Sequence, residues 1–321
     1  MLSRVADSLY WMSRYLERAE HTARIVDVHL NIMLDISPDE SNGNRWERLL
    51  DSLQIKHGHL STIDAFNAVQ LVTLDHTDPN SILSCITSAR ENARQVRDKI
   101  SSEMWEQINR LYLLIKNSNM ETIWASGRHD FYHAVKEGSH LFEGITDSTL
   151  SHEEGWQFIQ LGRNLERSSS VASLLDVHFK QFLRVNEYNS EVKEYLEWVG
   201  LLKSCTAFEA YCKVHKTELR PDKIAEYLLL DKTFPHSIRF SSDVVRNSLQ
   251  IISDMTNSQK SERLNKLAGR LSANLGFGQI DEILTDGIHQ FLSDIQRNCT
   301  LIHTALFTTY VVYPIETELV K

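Results

Sequence analysis

Half of this chain resembles the other half, and a duplicated sequence restricts the fold to architectures that bury the same apolar face twice. Residues 14–29, RYLERAEHTARIVDVH, return as RNLERSSSVASLLDVH at 163–178. Arg14, Leu16, Glu17, Arg18, Ala23, Asp27, Val28 and His29 are identical to Arg163, Leu165, Glu166, Arg167, Ala172, Asp176, Val177 and His178. The repeat extends outward from there. Trp46 and Leu49–Leu50 recur as Trp198 and Leu201–Leu202, LDHTDPNSI at 74–82 recurs as LDKTFPHSI at 230–238, and KEGSHLF at 136–142 faces TDGIHQF at 285–291. These matches divide the chain into halves of residues 1–149 and 150–321. The expected architecture is an all-α, internally duplicated helical bundle with pseudo-two-fold symmetry, its halves packed as one unit around a shared core.

Helices are expected because 321 residues carry only 5 prolines and 12 glycines and show no long alternating strand pattern. Leu9, Met12, Leu16, Ala19, Ala23, Val26, Leu30 and Met33 step by three and four residues, which draws an apolar seam along one helical face. Their counterparts Phe158, Leu161, Leu165, Ser168, Ala172, Leu175, Phe179 and Phe182 keep that seam at all but Ser168. Tyr10, Ile25 and Val28, matched by Ile159, Leu174 and Val177, add a second apolar side, so both helices are expected to be central. Further helices are predicted over 44–56, 81–117, 120–144, 191–216, 222–231, 236–257, 259–275 and 279–309. Pro79 and Pro235 mark helix starts at Ser81 and Ser237, while Asn42–Gly43, His57–His59 and Asn186–Ser190 read as loops.

A net charge of −9 without a basic stripe argues against nucleic acid, and no segment reads as a membrane span. Four scattered cysteines fit neither a zinc pattern nor a disulfide framework, and MLSRVADSLYWM is not patterned as a signal peptide, so a cytoplasmic location is expected. No pattern calls for a bound cofactor: the Gly276–Gly278 pair is not a dinucleotide fingerprint, and no nucleophile elbow or phosphate loop occurs.

Three sets of residues carry charge that the two copies retain. In Arg14, Glu17, Arg18 and in Arg163, Glu166, Arg167, two arginines flank one glutamate at helical spacing. Around them Glu20, His21 and Arg24 have become Ser169, Ser170 and Ser173. The triplets read either as structural charge pairs or as a site for an anion or a partner, since each holds one excess positive charge. His29 and His178 lie three turns on, nearly on the same side, where they read as helix-end residues bordering any pocket the arginines line. Finally, Glu137–His140 and Asp286–His289 are carboxylate-x-x-His pairs. With Glu17 and Glu166 they match, on paper, the ligand order of a di-iron carboxylate bundle. Arginines beside each glutamate and an Asp in one motif count against that alternative, and Gly138 and Gly287 are better explained by close helix approach.

LYWMSRYLERAEHTARIVDVHLN, WQFIQLGRNLERSSSVASLLDVH, ENARQVRDKISSEMWEQINRLYL, and FEAYCKVHK followed by EYLLLDKTFPHSIRF together resemble the bacterial Alpha-E family, named for a helical fold with a Glu-Arg motif. Here that motif is Glu17–Arg18 and Glu166–Arg167. The resemblance implies association with circularly permuted ATP-grasp proteins and transglutaminase-like proteins, and hence with peptide ligation or synthesis. The expected role is an accessory component, not itself an enzyme, that binds a partner protein or an anionic peptide through its Arg/Glu clusters. A metal-dependent carboxylate-bundle enzyme and a purely structural scaffold are the alternatives. The serines at 168–170 leave the equivalence of the two motif sites open.

Overall fold

A computed structural model describes residues 1, 3–35, 42–58, 63–184, 191–216, 218–256 and 261–311. Among these the regular structure is helical throughout, with no strand. Two long helices, α1 (Ser3–Asp35) and α8 (Glu154–Arg184), run side by side in the same direction. Met1 meets Glu154 at one end, and Glu17 meets Arg167 further along. The seam explains the pairing. From Leu9 to Leu30 on α1, and from Phe158 to Phe179 on α8, every seam position is buried, Ser168 included. Phe182 lies outside the residues whose side chains are described.

The surroundings of α8 repeat those of α1. Helices α4 (Ile82–Gln95) and α7 (Arg128–Thr149) pack on α1, with α5 (Ser102–Lys116) closing against both. Likewise α12 (Ile238–Thr256) and α15 (Ile288–Leu306) pack on α8, with α13 (Glu262–Phe277) closing against them. Two shorter helices cross over: α2 (Asn42–Ser52) lies on α8, and α9 (Glu191–Ser204) lies on α1. The buried apolar side chains form one connected cluster drawn from both long helices and their neighbours.

Close approach of α1 and α8 depends on Gly162. A Cβ there would stand 2.2 Å from both Ser13 Oγ and the Tyr10 carbonyl oxygen, and the carbonyl belongs to a helix that cannot easily yield. Gly162→Ala is therefore expected to force the pair apart and destabilise the protein by about 1–3 kcal/mol. Chemical denaturation checks this; an unchanged midpoint would mean that the helices separate at no cost. Gly200 brings α9 close to α1 less stringently, since its Cβ would meet the side-chain tip of Ile32, Cδ1, at 2.5 Å, which can shift where a backbone carbonyl cannot.

Several predicted helices are broken where local chemistry interrupts them. The 81–117 stretch is two helices, because Ser101 Oγ caps a new start by accepting from the Met104 N–H at 3.1 Å. The 191–216 stretch ends at Ser204 and resumes as α10 (Phe208–His215) after Thr206, which takes a left-handed φ of 52°. Gly287, at φ 105°, separates α14 (Ile280–Asp286) from α15. Its role is thus backbone conformation, not close approach, because a Cβ there would meet nothing within 4 Å. For Gly138 close approach is correct, with Leu111 Cδ1 at 2.9 Å from the same test position. The sequence pattern did not predict α3 (Ala65–Leu74), which Asp64 caps through the Asn67 N–H at 2.8 Å. Asn42–Gly43 opens α2 instead of forming a loop, and Asn186–Ser190 and His59 lie outside the described residues.

Both LDxTxPxSI segments form the same cap. Asp75 Oδ1 accepts from the Thr77 N–H at 2.7 Å, and Asp231 Oδ1 accepts from the Thr233 N–H at 2.7 Å. Ser81 and Ser237 cap α4 and α12 by accepting from the Ser84 and Phe240 N–H groups, at 3.1 and 3.0 Å. These turns also carry Asn80 and His236 to the long helices.

Candidate functional site

With Gly162 fixing the crossing, Glu166 lies one helical turn beyond it and Arg14 one turn beyond Tyr10. The two motifs consequently pair across the helices, not within them. Arg14 Nε donates to Glu166 Oε2 at 2.7 Å and Arg18 Nε to Glu166 Oε1 at 2.6 Å. In the opposite sense Arg167 grips Glu17 with both arms of its fork, Nε to Oε1 at 2.6 Å and Nη2 to Oε2 at 2.8 Å. The intrahelical surface pairs that the spacing also allows are replaced by a reciprocal clamp. Glu17 and Glu166 are only 3% and 4% exposed, which takes these contacts out of the class of weak surface pairs.

The two arms differ. Glu166 is held by two arginines. Among the described residues Glu17 has only Arg167, because Arg163 turns away to Glu143 Oε2 at 3.1 Å. Burial raises both carboxyls, and the outcome depends on the cations. At Glu166, Arg14 and Arg18 outweigh burial and hold the group down at about 2. At Glu17 burial prevails over Arg167, with Glu143 and Glu20 adding to the upward shift.

Each outer arginine is completed by the LDxTxPxSI turn, a contribution absent from the sequence reading. Arg18 Nη1 donates to Asn80 Oδ1 at 2.6 Å, and Arg167 Nη1 reaches the Pro235 carbonyl at 3.5 Å beside His236. The retained spacing of this turn was the available signal. On its other side Arg14 Nη1 donates to Tyr10 Oη at 3.1 Å and lies 3.2 Å from His303 Nδ1, with its guanidinium 4.9 Å from the Trp11 ring.

Above the Glu166 arm lies a polar cavity of about 130 Å³. Its walls include Arg14, Arg18, His21, Asn80 and the serines 169, 170 and 173 that stand where the other copy has Glu20, His21 and Arg24. His21 is buried, its Nε2 lacks a hydrogen-bond partner, and burial lowers its pKa to about 4, so it faces the cavity as a neutral ring at pH 7. Among the described residues Arg18 Nη2 makes no hydrogen bond.

His29 and His178 do not border this cavity, and neither is a helix end. Together they line a second, smaller one between α1, α2, α8 and α9, which shares only Ser52 with the first. The proposed metal ligands are likewise taken by other partners. Both oxygens of Glu166 and of Glu17 receive arginines. Glu137 pairs with His133 at 3.3 Å, His140 with Glu20 at 3.4 Å, and His289 with Asp176, while Asp286 closes α14 before the Gly287 break. Among the described residues no group of three or more His, Cys, Asp or Glu is arranged to hold a metal ion. No described helix is long and apolar enough to cross a membrane.

An all-α protein whose two longest helices are clamped by exchanged Glu-Arg pairs defines the structural class. The chain belongs to the Alpha-E family, described as a predicted alpha-helical domain with a conserved ER motif, whose sequence profile matches residues 1–311. Uncharacterized proteins of Mycobacterium bovis and Mycobacterium tuberculosis are each 20% identical over 329 aligned positions, covering 94% of this chain and 35% of their own length. The chain thus spans about a third of the length of the curated relatives it matches. No solved structure matches it.

Proposed function

We propose that this protein is a non-catalytic, cytoplasmic component of an ATP-grasp-associated peptide ligation system, and that it binds an oxyanion of its partner or peptide in the cavity above Glu166. The observation that carries this reading is the cavity itself. Arg14, Arg18 and Glu166 sum to one positive charge, and the serines and Asn80 add neutral hydrogen-bonding groups around it. The size limits the guest to a group such as a carboxylate or phosphate. The Glu17–Arg167 arm fits the structural alternative better: Arg167 has both fork arms on Glu17 and is only 9% exposed, leaving little for a ligand.

Arg18→Lys keeps the charge but removes the planar fork, including the unengaged Nη2. Binding to the circularly permuted ATP-grasp partner is expected to weaken by about tenfold, equivalent to losing one good charged hydrogen bond, while the thermal midpoint falls little. Affinity and melting are measured on the same preparation. Unchanged affinity with lost stability would make the Glu166 arm a brace as well and remove the binding role.

A further inference from the structure

The second cavity carries a different inference. It lies where α2 and α9 cross over the long helices, about 40 Å³ in volume, with room for a few water-sized bodies. Arg45 and Arg48 project from α2, and both turn an Nη2 toward a single oxygen, Glu197 Oε1, at 2.8 and 3.5 Å. One carboxylate therefore answers two guanidiniums. Arg45 is only 8% exposed, and the Nε atoms of both arginines are buried without a hydrogen-bond partner. A buried N–H donor left unpaired is costly, the more so on a charged group. His29 and His178 face the same space from α1 and α8, each lowered to about 4, chiefly by burial, and so bring no charge at neutral pH. The cavity then holds one uncompensated positive charge. The rest of the wall combines Ile32, Leu174, Val177 and Leu201 with the buried Ser52 and Ser204.

We propose that this cavity binds one small, weakly hydrated anion of halide size, chloride in the first instance, between Arg45 and Arg48, where it balances the charge that Glu197 leaves uncompensated. The small volume disfavours phosphate or sulfate, whose four oxygens would crowd the space left between the two guanidinium groups and the Glu197 carboxylate. The binding is independent of the oxyanion cavity above Glu166.

The probe is halide itself. At constant ionic strength, replacing gluconate with chloride is expected to raise the thermal midpoint saturably by about 2–4 °C. Arg48→Gln should abolish the saturable part, whereas Arg18→Lys should leave it intact. Arg45 retains Glu197 in the Arg48→Gln protein, so folding is expected to survive. Bromide-soaked crystals of the unsubstituted protein supply a second readout that needs no variant, with an anomalous peak expected between the two guanidinium groups. Equal melting in chloride and gluconate, a chloride effect that survives Arg48→Gln, or a bromide peak only at the Arg14–Arg18 cavity would each overturn the proposal.

Discussion

Glu166→Ala is expected to destabilise the protein by about 3–5 kcal/mol, the cost of leaving buried charge uncompensated, and to do so by more than Glu17→Ala. The difference follows from the pairing. Removing Glu166 strands both Arg14 and Arg18, which are then left with Asn80, Tyr10 and His303 as neutral neighbours. Removing Glu17 strands only Arg167, which already has Glu143 at 3.8 Å to turn to. The carboxyl pKa shifts point the same way, lowered at Glu166 by its two arginines and raised at Glu17, where burial outweighs the single Arg167. Urea unfolding of the two proteins measures the gap. A partial recovery is expected when Arg18→Met is added to Glu166→Ala, because one stranded charge goes with it. Equal losses for the two glutamates, or losses below about 1 kcal/mol as at a surface pair, would show that the clamp does not hold the helices.

The clamp shows where reading from sequence reached and where it stopped. The retained triplets and the seam from Leu9 to Leu30 were visible because spacing of three and four residues is a property of one helix. Their exchange was not visible, since Arg14, Glu17 and Arg18 satisfy the intrahelical spacing equally well. What selects the crossed arrangement is Gly162, whose missing Cβ matters only once Tyr10 and Ser13 of another helix lie against it. Asn80 and His236 carry no such signal in the sequence for a similar reason. Their turn announces a helix start through Pro79, Ser81, Pro235 and Ser237, and its second task is set by tertiary contact with Arg18 and Arg167. His29 and His178 lie on the expected helices but look into a cavity that α2 and α9 create by crossing over. The breaks at Ser101 and Thr206 interrupt stretches whose apolar periodicity continues on either side, so periodicity alone ran through them.

Acid is expected to unfold this protein through its histidines before it reaches the Glu166 arm of the clamp. His21, His29 and His178 are each lowered to about 4, burial being the main cause, and burial lowers His236 well below its ordinary value. In the unfolded chain each takes up its proton near pH 6.5. Between those limits the unfolded state binds more protons than the folded one, so the stability these rings contribute is complete above pH 6.5 and is lost as pH falls toward 4. Each ring adds a slope of at most about 1.4 kcal/mol per pH unit, and three together approach the whole stability of an ordinary domain across that window. Three groups act in the opposite direction. His140 is raised by its hydrogen bond to Glu20, and Glu17 and Asp7 are raised by burial, so all three favour the folded state as pH drops. They are fewer, and His140 is half exposed, so the net trend is downward. Glu166, held at about 2, keeps its pairing through this range and releases it only as pH falls from about 4.5 through 2. Urea unfolding at pH 7.5, 6.5 and 5.5, in constant chloride so that the His29–His178 cavity sees the same anion, is expected to show a steep loss with uptake of about two to four protons. His178→Gln should remove about one of those protons and flatten the slope accordingly. A stability that stays level from pH 7.5 to 5.5 would mean that these rings are open to water and already free to charge in the folded protein.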